Sequence, residues 1–67
     1  MNDYTVSLAA ARVNAEYSQQ ELAEKMGVSR STIINWETGK TKIGMAQLHL
    51  FCEICKVPEK IIFLPNN

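Results

Sequence analysis

SQQELAEKMGVSRSTIINWETGK, residues 18–40, holds two short helical patterns hinged on a glycine. Ser18-Gln19-Gln20-Glu21 has capping-box spacing, in which the serine side chain and Glu21 each satisfy an orphan backbone donor at a helix start. Gly27 follows Met26 after barely two turns, where glycine supplies a left-handed conformation that a side chain resists. Ser29 is a good N-cap for a second helix, which runs to about Glu37 before Thr38-Gly39 closes it. Leu22, Met26, Val28, Ile33 and Trp36 supply apolar contacts between the two helices. Ala23 is small enough to let them cross closely.

Outward from this stretch the pattern stays helical. Leu8, Ala11, Arg12 and Ala15 recur at the spacings of one helical face and predict a first helix from about Thr5 to Glu16. A fourth helix is expected over Met45 to Cys55. A short fifth starts near Pro58, a residue tolerated in a first helical turn. No internal repeat, linker or sustained period-two alternation interrupts them. The expectation is an all-α fold, a single compact five-helix domain over residues 1–67, because a chain this short buries only about 60% of its unfolded surface and cannot divide its core. On the fourth helix Leu50 and Ile54 face away from Met45, Leu48, Cys52 and Cys55. Either the segment Ile61-Ile62-Phe63-Leu64 folds back over them or a second subunit covers them.

Composition narrows the function classes. Apolar residues make up 46% and charged residues 21%, which is globular rather than disordered. There is no apolar run of about 18 residues and no signal-peptide pattern, so the expectation is a cytoplasmic protein with no membrane role. The two cysteines, Cys52 and Cys55, lie three apart in a helical pattern, a poor geometry for a mutual bridge and a good fit to a reducing compartment. With His49 they form an i, i+3, i+6 set, but three ligands are too few for a structural zinc site, and small buried cysteines pack as hydrophobes. No metal or other cofactor is expected. The chain also lacks a glycine-rich phosphate loop after a strand and has too little volume for a pocket plus a scaffold, so neither catalysis nor a small-molecule ligand is expected.

Two short helices joined by a tight glycine-containing turn make a helix-turn-helix, here residues 18–38. The stretch QQELAEKMGVSRSTIINWET, residues 19–38, resembles the DNA-binding unit of Cro/C1-type regulators, the lambdoid phage repressor-like family. The resemblance continues through GKTK and MAQLHLFCEIC and covers about residues 5–63. It departs at Ile43-Gly44, where the family often has proline and then serine or aspartate. The resemblance implies a small bacterial or prophage transcriptional regulator, a repressor occupying an operator. It also implies an internal ion pair between Arg12 and Glu37, which fall where the family commonly carries an arginine on the first helix and a glutamate ending the recognition helix.

With Arg30 as origin on a helical wheel, Ile33 and Trp36 mark the buried side. The opposite side collects Ser31, Ile34, Asn35 and Thr38, with Arg30 at its edge. Residues at the N-terminal end of a recognition helix meet base edges in the major groove. Arg30 suits guanine O6 and N7, Asn35 suits adenine N6 and N7, Ser31 is less selective, and Ile34 can touch a thymine methyl. For phosphate, Gln19 lies beside the N-terminal N–H groups of its helix. The loop from Thr38 through Lys40, Thr41 and Lys42 adds two cations, hydroxyl chemistry and amides.

The formal net charge is zero, but nucleic-acid affinity follows the distribution of charge rather than its sum. One chain would neutralise only about two or three phosphates. That argues for a homodimer on a pseudo-palindrome of double-stranded DNA, with recognition helices about 34 Å apart. The rival expectation is a protein-interaction module, an antitoxin or adaptor whose partner is another protein.

Overall fold

Every helix start and stop in the chain is set by a residue within one turn of it. In the computed structural model, which describes residues 4–65, Val6–Ser7 form a short strand, β1. The first helix, α1 (Leu8–Asn14), begins only after it. Ser7 is the N-cap, its Oγ accepting from the Ala10 N–H at 3.0 Å, and α1 ends as Glu16 turns left-handed at φ 67°. The expected first helix, Thr5 to Glu16, is thus too long at both ends. At the start the chain around β-branched Val6 is claimed by strand pairing.

The second helix, α2 (Gln19–Met26), has the full capping box: Ser18 Oγ accepts from Glu21 N–H, and Glu21 Oε1 accepts from Ser18 N–H. It closes at Gly27, φ 72°, with the Val28 N–H reaching back to the Ala23 carbonyl at 3.0 Å. This is the Schellman arrangement, which satisfies otherwise orphaned carbonyls. The third helix, α3 (Arg30–Thr38), starts at Ser29, whose Oγ accepts from Thr32 N–H. It stops at Gly39, φ 81°. The fourth, α4 (Met45–Cys55), follows Gly44, whose N–H is taken by Gln47 Oε1 at 3.3 Å. Lys56, left-handed at φ 58°, ends it.

Of the five expected helices, four are α-helices. The segment after Pro58 is a single turn of 3-10 helix, Glu59–Ile61, followed by a strand, β2 (Ile62–Phe63). β2 runs parallel to β1, with Val6 opposite Ile62 and Ser7 opposite Phe63. The fold is therefore predominantly helical, with the two described ends of the chain joined by a two-stranded sheet. The expected domain bounds, 1 and 67, lie outside the described residues.

The core gathers Leu8 and Ala11 from α1, Leu22, Ala23 and Met26 from α2, Ile33 and Trp36 from α3, and Phe51, Cys52 and Cys55 from α4. Phe51, Leu22 and Ile33 are its most enclosed large side chains. On α4 Leu48, Cys52 and Cys55 face the core as expected, but Met45, the first residue of the helix, is 84% exposed and Phe51 takes the central place. Ile54, Ile61, Ile62 and Leu64 are half-buried against the core, while Leu50 and Phe63 stay on the surface.

Candidate nucleic-acid interface

α3 offers one buried and one open side. Ile33 and Trp36 are buried, which removes the Trp36 ring as a surface for stacking bases. Arg30, Ser31 and Thr38 are exposed, and Ile34 and Asn35 are half-buried. Arg30 is the first residue of α3 and has no ion-pair partner among the described residues. A guanidinium in that state keeps its five donors for an acceptor brought from outside. Ser31 is tied locally: its Oγ lies 3.3 Å from Ser29 Oγ, which also lies 2.9 Å from Thr32 Oγ1. Thr32 was not among the expected surface residues, although the SRST spacing places three hydroxyls together at the start of α3.

The loop after α3 has fewer free donors than its sequence suggests. Thr38 Oγ1 donates its hydrogen to the Ile34 carbonyl at 2.9 Å, and the Thr41 N–H is taken by the Asn35 carbonyl at 3.2 Å. What stays open are the ammonium groups of exposed Lys40 and Lys42 and the Thr41 hydroxyl. Lys25 Nζ sits over the Tyr17 ring, 5.8 Å from its centroid, a favourable cation–π contact.

Behind α3 the carboxylate of Glu37 organises two other helices. Arg12 Nε donates to Glu37 Oε2 at 2.6 Å and Nη2 reaches Oε1 at 3.4 Å, while Nη1 donates to the Tyr17 carbonyl at 2.9 Å. The two side chains are only 13% and 8% exposed. Gln19 Nε2 also donates to Glu37 Oε1, at 3.0 Å. An amide has two hydrogens, so this bond fixes the Gln19 side chain at the start of α2 and leaves the second hydrogen for an incoming acceptor. Arg12, Gln19 and Glu37 thus connect α1, α2 and α3. The Gln19 link joins residues too far apart in sequence for spacing to suggest.

The arrangement is two helices crossed on a glycine turn, with a polar, cation-bearing face at the start and end of the second. A helix-turn-helix family model matches residues 8–62. The chain belongs to this family. As a Cro/C1-type helix-turn-helix protein it is a DNA-binding transcription regulator, and its partner is double-stranded DNA. No curated protein matches the chain.

Elsewhere in this helix-turn-helix protein, the His49, Cys52 and Cys55 set does not converge. The cysteines are buried and reduced, while exposed His49 places Nδ1 2.8 Å from Glu59 Oε2 and Nε2 3.4 Å from Glu53 Oε2. Among the described residues no three His, Cys, Asp or Glu side chains could hold a metal ion. Burial pushes the Cys52 thiol up, and burial together with Cys52 pushes Cys55 up to about 11, against a smaller opposing effect of Arg12. Thiols held protonated are poor nucleophiles. A groove of about 310 Å³ opens beside β1 and the end of α4, lined in part by Val6, Ala11, Cys55 and Ile61. That is the low end of ligand-site volumes. None of the described helices is long and apolar enough to cross a membrane.

Proposed function

We propose that the protein is a small bacterial or prophage repressor acting in the cytoplasm, which occupies a pseudo-palindromic operator as a homodimer. Arg30, Ser31, Asn35 and Ile34 read base edges. Gln19, Thr38, Lys40, Thr41 and Lys42 hold the phosphate backbone, with Gln19 locked by Glu37. The observation that carries this reading is Arg30, exposed and without an ion-pair partner among the described residues at the start of α3, where a helix laid in the major groove presents its first residues to base edges. Thr38 reaches phosphate by turning its hydroxyl hydrogen away from the Ile34 carbonyl that holds it in the free chain.

The dimer is supported by scarcity of charge. Glu37 is neutralised by Arg12, so Arg30, Lys40 and Lys42 are the main cations of the face, and two copies double the phosphates neutralised. The exposed apolar side chains Tyr4, Val13, Leu50 and Phe63 give a second copy something to bury.

Selection of binding sites from random duplex DNA tests the reading, with Arg30→Ala as its control. The intact protein should enrich two half-sites about one helical turn apart. Arg30→Ala should lose about 1–3 kcal/mol of discrimination at one base pair per half-site while keeping most non-specific affinity. A uniform loss across sequences contradicts base reading by Arg30. Failure to enrich any site favours the protein-interaction module.

A further inference from the structure

Gly27 and Gly39 close the two helices of the motif in the same left-handed conformation, at φ 72° and 81°, but in different surroundings. A side chain built at Gly27 would meet nothing within 4 Å, whereas a Cβ at Gly39 would stand 3.2 Å from Cγ and 3.3 Å from Cβ of Pro65. The Pro65 ring therefore lies directly over the exit of α3. Three features bring it there. β2 is fixed beside β1, Leu64 is half-buried against the core, and a proline arrives with its own φ set and no N–H needing a partner.

The chain leaving Gly39 is the loop that carries Lys40, Thr41 and Lys42. It is held at Thr41 by the bond to the Asn35 carbonyl and again at Ile43, which is buried. Pro65 supplies the hold at the loop's origin. We propose that Pro65 is a positioning residue for DNA binding: the C-terminal segment buttresses the loop from 39 to 42, so that its ammonium groups meet the phosphate backbone already placed. This rests on the reading of Lys40 and Lys42 as phosphate contacts. A loop ordered beforehand avoids paying that ordering on association. Pro65 also makes any Cβ at position 39 a tight fit, within 3.3 Å of the proline ring, on top of the left-handed backbone there.

The test uses the full chain with Pro65→Gly, Pro65→Ala and Lys40→Ala, and Gly39→Ala alone and combined with Pro65→Gly. Binding is measured to a selected duplex and to a scrambled one over a range of salt, with thermal melting and amide exchange on the free protein. Pro65→Gly should weaken binding to both duplexes alike, by roughly three- to tenfold, and speed exchange of the Thr41 amide, held by the Asn35 carbonyl, relative to the amides of α3. The preference between duplexes and the salt slope should stay as they were, because no phosphate contact is deleted. Lys40→Ala should weaken both duplexes and flatten the salt slope. Should Pro65→Gly lower melting, Pro65→Ala, which keeps Cβ and removes the ring, carries the comparison. The Gly39→Ala change adds a cycle: its loss of affinity should be partly relieved by Pro65→Gly in the same chain. Unchanged affinity and exchange in both Pro65 variants, with Lys40→Ala impaired, overturns the buttress alone. An unimpaired Lys40→Ala overturns the phosphate reading, and the proposal with it.

Discussion

At Glu37 one carboxylate takes hydrogen bonds from Arg12 and Gln19, within a site where Arg12 and Glu37 are both largely shielded from water. Removing it leaves a guanidinium with only the Tyr17 carbonyl for company, and an unpaired buried charge is costly where a buried pair is merely neutral. Glu37→Ala should therefore lower stability by about 3–5 kcal/mol, read as a shift in the urea midpoint. The double variant with Arg12→Ala should lose less than the two single losses added. An unchanged midpoint in Glu37→Ala would refute the account. At this scale the sequence was partly legible. Arg30 and Ser31 could be placed on the open face because a helix has a fixed period, and the two lysines because they sit in the loop that leaves it. The Gln19–Glu37 bond and the Thr41–Asn35 bond were not, because each depends on how two elements come together.

Elements whose ends are set by neighbouring residues were read closely: Ser18 with Glu21, Gly27, Ser29 and Gly39 act within a few bonds of themselves. The start of α1 and the last segment were misread for the opposite reason. A strand of two residues has no period, and its partner lies at the far end of the chain. On α4 the wheel gave Leu48, Cys52 and Cys55 their inner side, but not how far the neighbours reach along the helix, so Met45 was counted inside. The outer side of the same helix carries His49, bonded to Glu59 in the 3-10 turn and near Glu53 one turn along. The bond to Glu59 first, then the charges of Glu53 and Glu59, hold its pKa above the ordinary 6.5, with a slight opposing effect of desolvation. A folded pKa above the unfolded one adds stability that is full below about 6.5 and is lost as pH rises through the folded value. Melting of the intact protein should exceed that of His49→Gln by more at about pH 6 than at about pH 8. Equal differences at both pH values would show that the tie carries no charge.

The molecule as a whole balances seven cationic against seven anionic side chains, and the structure spends that balance unevenly. Glu37 is paired with Arg12, Glu21 with the α2 cap, and Glu53 and Glu59 with His49 on the surface, while Arg30, Lys40 and Lys42 stay open at the two ends of α3. A sum of zero is thus compatible with one cationic face. The β1–β2 pair has a separate bearing, on the order in which the chain folds. Joining Val6 to Ile62 closes a loop of nearly the whole chain. That closure is the most entropically demanding contact in the fold, rewarded only after the four helices have collapsed on Leu22, Ile33 and Phe51. The zipper should therefore be absent from the folding transition state. Ile62→Ala should speed unfolding while leaving the refolding rate within about twofold of the parent in stopped-flow traces. Slowed refolding would place the pairing in the nucleus. A late, last-closing zipper makes the C-terminal segment the first part of the native protein to open, and it would open without unmaking the helices that face DNA.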